Sequence, residues 1–309
     1  MARPIRLGTR GSFLARTQSE LVKSWLDISD GVELVSIKTQ GDDLSLSLTK
    51  LNEPGAFVTA LRTALINREV DFIVHSFKDL PSLPYPELEL VAIPTREDHR
   101  DVFISSGSQQ LKDLPTGSIV GTSSPRRSAS ILKLNPKVSV LPIRGNIDSR
   151  IQKVRRGEYA AAVLAAAGIL RIGYQHEITE YFSVTEMLPA PAQGALAIEC
   201  RKDDLAMIEH LSLIDDPIAR LTTTAERAVL RGLNAGCDLA IGAFAQYLDG
   251  VLRLVAEIGD WQSGEQKRIE NSVIVTDISD VESAEELGLN IAREFMVDEF
   301  TLRILRRDN

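Results

Sequence analysis

The stretch GTSSPRR, residues 121–127, sets two guanidiniums directly behind a turn of three hydroxyl residues. Such a turn, if a helix follows it, aims free backbone N–H groups at whatever lies above. Pro125 suits a first helical position. The macrodipole adds a partial positive charge there. Thr122, Ser123 and Ser124 add hydroxyl donors, and Arg126 and Arg127 add planar forks that match carboxylates. PIRGNIDSR repeats the arrangement with Arg144, Gly145 and Arg150, and Arg10 with Ser12 follows the first apolar run in the same way. Ligands of open α/β sheets bind beyond the carboxyl ends of strands. Three strand ends therefore aim cations at one region. Arginines that merely decorate solvated helix starts would explain any one of these sites more easily than all three.

Other residues are candidates for chemistry. IVHSFKDLP puts Lys78 and Asp79 just past a buried run. Asp79 reads either as a proton donor or as half of a surface ion pair, and His75 as a core histidine. Cys200, in ALAIEC, needs no explanation beyond a small buried residue. Cys237, in NAGCDLAIG, sits on a turn, where a thiolate is an accessible nucleophile. It reads either as a reactive cysteine or as an ordinary loop residue, with no histidine nearby in sequence.

Charge sharpens the anion argument. The chain carries −8 formally, yet residues 120–171 hold ten Lys or Arg against two Asp or Glu, a local +8. A basic block in an acidic protein suits a specific anionic ligand. Nucleic acid fits poorly, because aromatic content is 5% and none interleaves with these arginines. Several small carboxylates or phosphates fit better. Two cysteines and four scattered histidines give neither a disulfide framework nor metal-ligand spacing. No apolar run of membrane-spanning length occurs. The N-terminus reads straight into a strand-like segment, so the cytoplasm is the expected compartment.

The elements that must position these residues follow an α/β grammar. At 309 residues, two or three domains are expected. IRLG, VELVSIKT and VDFIVHSF read as strands, with amphipathic helices over SFLARTQSELVKSWLD, capped by Ser12, and AFVTALRTALINRE. This order implies a mostly parallel sheet between helices. After REDHRD it restarts: SIVGTS, VSVLPIRG and YAAAVLAAAG as strands, SPRRSASILKLN and NIDSRIQKVRRG as helices. GALAIEC is a further strand. From about residue 217 a long helix leads to two alternating runs joined by Asp-Gly, a hairpin signature, and a last helix begins near Ser283. The fold class is α/β, with two α/β units in tandem and a small C-terminal α+β domain. The expected boundaries are 1–94 plus 195–215, then 100–190, then 217–309. Residues 41–55 form a long polar loop, either a lid or a surface insertion.

LGTRGS, VHSFKDLP, REDHRD, GTSSPRR, PIRGNIDSR, LAAAGILRIG, LPAPAQGALAIECR, TAERA and AGCDLAIG together resemble the porphobilinogen deaminase (hydroxymethylbilane synthase) family, in its order and over nearly the whole chain. The resemblance implies a three-domain transferase of tetrapyrrole, porphyrin and heme biosynthesis, its first two α/β domains periplasmic-binding-protein-like and its third a small α+β domain. It would join four porphobilinogen molecules head to tail, release ammonia, and free hydroxymethylbilane by hydrolysis. A dipyrromethane cofactor, thioether-linked to Cys237, would serve as primer.

Each porphobilinogen bears an acetate and a propionate. Carried over by position, Arg10, Ser12, Lys50, Lys78, Thr122, Ser123, Ser124, Arg126, Arg127, Arg144, Arg150 and Arg171 would bind the carboxylates of cofactor and substrate. Asp79 and Lys78 would be the catalytic residues, with Asp79 as the acid, protonating the departing amine and then facing the azafulvenium cation. Two positions depart from the family pattern. Pro54 stands where many members have a lid lysine, and His99 replaces a usual proline. By analogy the protein would be a cytoplasmic monomer with no nucleic-acid, membrane or metal partner. The alternative reading is a two-lobed solute-binding protein that clamps a carboxylate without chemistry.

Overall fold

The computed structural model describes residues 4–28, 31–37, 56–234 and 239–307. Contacts divide the chain into two compact units, Met1–Arg96 with Ala195–Arg220, and Glu97–Gly194 with Leu221–Asn309.

The first unit is built on a five-stranded sheet. It comprises β1 (Ile5–Thr9), α1 (Phe13–Trp25), β2 (Val32–Ser36), α2 (Ala56–Ile66), β3 (Phe72–Ser76), β4 (Leu88–Ala92), β10 (Leu196–Arg201) and α6 (Leu205–Ser212). The sheet order is β2-β1-β3-β10-β4. β1 runs parallel to β2 and β3, while β10 is antiparallel to both β3 and β4. All six residues of β10 are buried, as in a central strand covered on both faces. Leu7, Phe72, Val74, Ile198 and Cys200 form the core there.

The second unit opens with a sheet of the same design. It uses β5 (Asp101–Ser105), β6 (Ile119–Gly121), α3 (Pro125–Leu134), β7 (Ser139–Leu141), α4 (Ile147–Arg155), β8 (Ala161–Ala165), α5 (Ala166–Arg171) and β9 (Glu180–Tyr181). The order is β7-β6-β8-β5-β9. β6 is parallel to β7 and β8, and β5 returns antiparallel against β8 and β9. The parallel trio matches the sequence expectation; the antiparallel strands make both sheets mixed. YAAAVLAAAG does not stay a strand: extended structure ends at Ala165 and α5 begins at Ala166. A run of small apolar residues has no period to mark that change.

The same unit carries a three-stranded antiparallel sheet of β11 (Ile241–Leu248), β12 (Val251–Gly259) and β13 (Gln266–Ile274). Asp249 and Gly250 join the first two strands, with φ of 50° and 76°. Two consecutive positive φ values make the turn type I′, as Asp-Gly predicts. α7 (Pro217–Gly232), α8 (Val281–Met296) and α9 (Glu299–Arg307) complete the chain. Leu221, Ala225, Leu252, Leu254, Ile291 and Phe295 share a core with these strands. Among the described residues no helix is long and apolar enough to cross a membrane.

Candidate functional site

In the first unit, β1 and β3 lie side by side and parallel, so their carboxyl ends share one edge. Arg10 follows β1 and is half-buried. Ser12 caps α1, its Oγ accepting the Ala15 N–H at 3.3 Å. β3 ends at Ser76 and runs into a single 3-10 turn, Phe77–Asp79. Phe77 and Leu80 are buried on either side of that turn. They pin it to the core and leave Lys78 half-buried and Asp79 exposed. Gln18 Nε2 donates to Ser76 Oγ at 3.0 Å, tying α1 to the end of β3. The two strand ends that sequence singled out are thus fixed together. Among the described residues no ion pair to Asp79 is found. His75 is buried with Nε2 3.3 Å from Glu199 Oε2, a core histidine as expected.

In the second unit, β7, β6 and β8 lie side by side and parallel, and all three carboxyl ends carry candidates. After β6, Ser124 caps α3 with Pro125 at its start, and Thr122 is buried. Ser123 is exposed, its Oγ donating to the Ile143 carbonyl at 2.9 Å. After β7 come exposed Arg144 and then Gly145, at φ +111°. A Cβ at Gly145 would collide with the Ser149 hydroxyl, so glycine permits the start of α4 there. Asn146 caps α4, and Arg150 Nε donates to the Gly145 carbonyl at 2.8 Å. After β8, α5 delivers Arg171, whose Nη2 donates to the Gly194 carbonyl at 2.7 Å.

From the sequence, the partners of Arg126 and Arg127 are expected to arrive with the ligand, so that their loss would spare folding; that expectation is overturned. The structure gives them a partner inside the chain. Asp101, wholly buried at the start of β5, accepts Arg126 Nη1 at 2.7 Å on one oxygen. Its other oxygen accepts Arg127 Nε and Nη2 at 3.0 and 2.8 Å. Arg126 also donates to the Leu188 carbonyl, and Arg127 to that of Val163. Both arginines are buried, at 4% and 7% exposure. Asp101 lies in REDHRD, a motif quoted above only for its resemblance. Gln193 Nε2, at 3.0 Å from Asp101, was not anticipated either.

One acid serves two guanidiniums here, and two further arginines lie buried beyond the neighbouring strand ends. Burial lowers the pKa of Arg150, and the charge of Arg127 lowers it further. Burial brings Arg171 down to about 10, against the pull of Glu97. Arg171 Nε is buried with no hydrogen-bond partner. Buried donors are normally satisfied, so this donor set fits a ligand bearing several carboxylates.

The two cysteines differ. Burial, first of all, and the charge of Asp204 push the Cys200 thiol up to about 12, so it is a poor nucleophile. Cys237, Lys50 and the 41–55 loop lie outside the described residues. Among the described residues no His, Cys, Asp or Glu cluster could hold a metal.

Two mixed five-stranded sheets, each with candidate cations beyond its parallel strand ends, define an α/β protein. The family model "Porphobilinogen deaminase, dipyromethane cofactor binding domain" matches residues 5–209, and "Porphobilinogen deaminase, C-terminal domain" matches 220–297. The chain is 44% identical to porphobilinogen deaminase of Nocardia farcinica over 300 residues, covering 95% of this chain and 86% of that protein. It is 42% identical to that of Thermobifida fusca over 298 residues, covering 95% and 93%. Among solved structures it is similar to a Salmonella typhimurium periplasmic binding protein described by its high arginine specificity. That match has 13% identity, covers 71% of this chain and 94% of that one, and has a TM-score of 0.40. The chain belongs to the porphobilinogen deaminase family, whose members are hydroxymethylbilane synthases, transferases with a dipyrromethane cofactor.

Proposed function

We propose that this chain joins four porphobilinogen molecules into hydroxymethylbilane, releasing ammonia, through the residues on its strand ends. The observation that carries the assignment is the cation-rich corner around Arg150 and Arg171, with a buried Arg171 donor lacking any acceptor. When bound, dipyrromethane supplies the primer on which pyrrole units are added. The side chain that holds it is Cys237, since the only other thiol is the buried and weakly acidic Cys200.

Arg10, Ser12, Lys50, Lys78, Thr122, Ser123, Ser124, Arg126, Arg127, Arg144, Arg150 and Arg171 bind the acetate and propionate groups of cofactor and substrate. Their contributions differ with geometry. Arg144, exposed, meets a carboxylate directly. Arg126 and Arg127, locked on Asp101, supply fixed charge and a rigid wall. Ser12 and Ser124 use their oxygens as helix caps, which leaves their hydroxyl protons to donate to a carboxylate. Asp79 sits exposed on a pinned turn beside Lys78. There it holds the proton given to the departing amine, and its carboxylate then faces the cation left on the substrate.

On this reading the chain works as a cytoplasmic monomer with no nucleic-acid or membrane partner. A solute-binding protein without chemistry is not favoured, because the family match covers both the cofactor-binding and the C-terminal segments. Intact mass of the chain purified from cells able to make the cofactor tests the assignment. A covalent addition of two pyrrole units supports it; an unmodified chain that binds porphobilinogen without consuming it rejects it.

A further inference from the structure

One candidate arginine, Arg171, bonds a short strap, residues 192–194, and two more, Arg126 and Arg127, are linked to it through Asp101. The Gly194 carbonyl accepts Arg171 Nη2 at 2.7 Å and the Glu97 N–H at 3.2 Å. Gln193 Nε2 donates to the His99 carbonyl at 2.8 Å and to Asp101 at 3.0 Å. Those acceptors are both oxygens, which identifies this end of the amide as its nitrogen. Asp101 in turn holds Arg126 and Arg127. A shift of the strap therefore moves the acceptor of Arg171 directly and takes one hydrogen bond from Asp101, the acceptor shared by Arg126 and Arg127.

The strap is not held by its own backbone preference. Ala192 sits at φ +61°, which disfavours a residue with a Cβ, and Gly194 at φ +93°. Something outside must fix it. Glu226, on α7, is fully buried. One of its oxygens accepts the Ala192 N–H at 2.6 Å, and the other accepts the Ala245 N–H of β11 at 2.8 Å. The carboxylate thus bolts the strap to the three-stranded sheet. An apolar side chain of the same size would leave both buried N–H groups without acceptors.

We propose that Glu226 is a positioning residue for the ligand-binding arginines: by holding the Ala192 N–H it fixes the strap that sets Arg171, Arg126 and Arg127. This rests on the reading that those arginines bind substrate and cofactor carboxylates. Such contacts exist in ground and transition states alike, so loosening them weakens binding more than the chemical step.

The test is Glu226→Gln, which keeps the shape but turns an amide nitrogen toward one of the two N–H groups. Three quantities are measured: amide exchange at Ala192 and Ala245, thermal unfolding, and the kinetics of porphobilinogen turnover. Exchange protection is expected to fall, KM to rise by about tenfold or more, and kcat to stay within about threefold. A second variant enters from the other end. In Gly194→Ala the new Cβ meets the Glu97 carbonyl oxygen at a φ that already strains alanine. It should give the same rise in KM, and it decides the matter if Glu226→Gln does not fold. A folded variant with lost protection or a lowered melting temperature but parental KM overturns the proposal, since Glu226 would then be structural only. An unsubstituted protein that fails to convert porphobilinogen would instead sink the functional reading, while the exchange result would still report on the strap.

Discussion

Arg127 donates to a single oxygen of Asp101 through both Nε and Nη2, at 3.0 and 2.8 Å. Arg126 takes the other oxygen. One buried acid thus organises two adjacent cations that the sequence alone shows only as a pair. Removing one partner of a buried ion pair leaves charge uncompensated, at a cost of about 3–5 kcal/mol.

Arg126→Leu should therefore lose stability as well as ligand binding. Arg144, exposed after β7, gives the contrast. Arg144→Leu should change stability by no more than about 0.5 kcal/mol and act through KM. Urea unfolding of both variants, alongside turnover, separates the two. Equal stability would mean that Asp101 does not depend on Arg126.

The cysteines make a second pair. Cys237→Ser should abolish covalent attachment of the cofactor, because a hydroxyl is far less nucleophilic than a thiolate. Cys200→Ser should keep the cofactor and cost only stability, since that thiol is buried and held up to about 12. Peptide mapping of the modified residue decides; an adduct on Cys200 overturns the assignment.

Strand-end motifs were the most legible part of the chain. Ser12, Ser124 and Asn146 cap helices where short polar turns meet amphipathic periods, and Asp-Gly at 249–250 gives its hairpin. β4, β5 and β13, with α6 and α9, had no such punctuation and went unread. β4 pairs antiparallel with β10, and β5 with β8, relations that no local period encodes. The partners of the site residues were hidden for the same reason. Asp101 meets Arg126 and Arg127 across 25 and 26 residues, and Glu226 meets Ala192 across 34. Side-chain type announces that a buried cation needs an acid, but only the fold says which one.

Glu199 offers a pH test. Burial works to raise its pKa, but hydrogen bonds and charge from His75 and Arg62 prevail and hold it near 2, against an ordinary 4.5. Arg62 binds it through two contacts, at 2.9 and 2.6 Å. A depressed folded-state pKa contributes stability above the unfolded value, and that stability drains away as pH falls through the folded value. The gap in unfolding free energy between the parent and Glu199→Gln should then be fully present above about pH 4.5 and shrink toward pH 2. The shrinkage should be on the order of 3 kcal/mol. A gap that stays constant over that window would show that Glu199 is not held as a carboxylate by Arg62 and His75.

The central claim is that Asp79 moves the proton on which turnover depends. Asp79→Asn keeps shape and hydrogen bonding but removes both the transferable proton and the negative charge. On the proposed roles, arginine contacts would be largely uniform binding, whereas Asp79 would act only along the reaction path. The measurement is hydroxymethylbilane formation by Asp79→Asn protein already carrying its cofactor, so that failed priming is not mistaken for failed catalysis. The account predicts a folded protein with turnover reduced at least about 10²-fold, the usual weight of general acid catalysis. Turnover within about tenfold of the parent would contradict it, and the acid would have to be sought elsewhere.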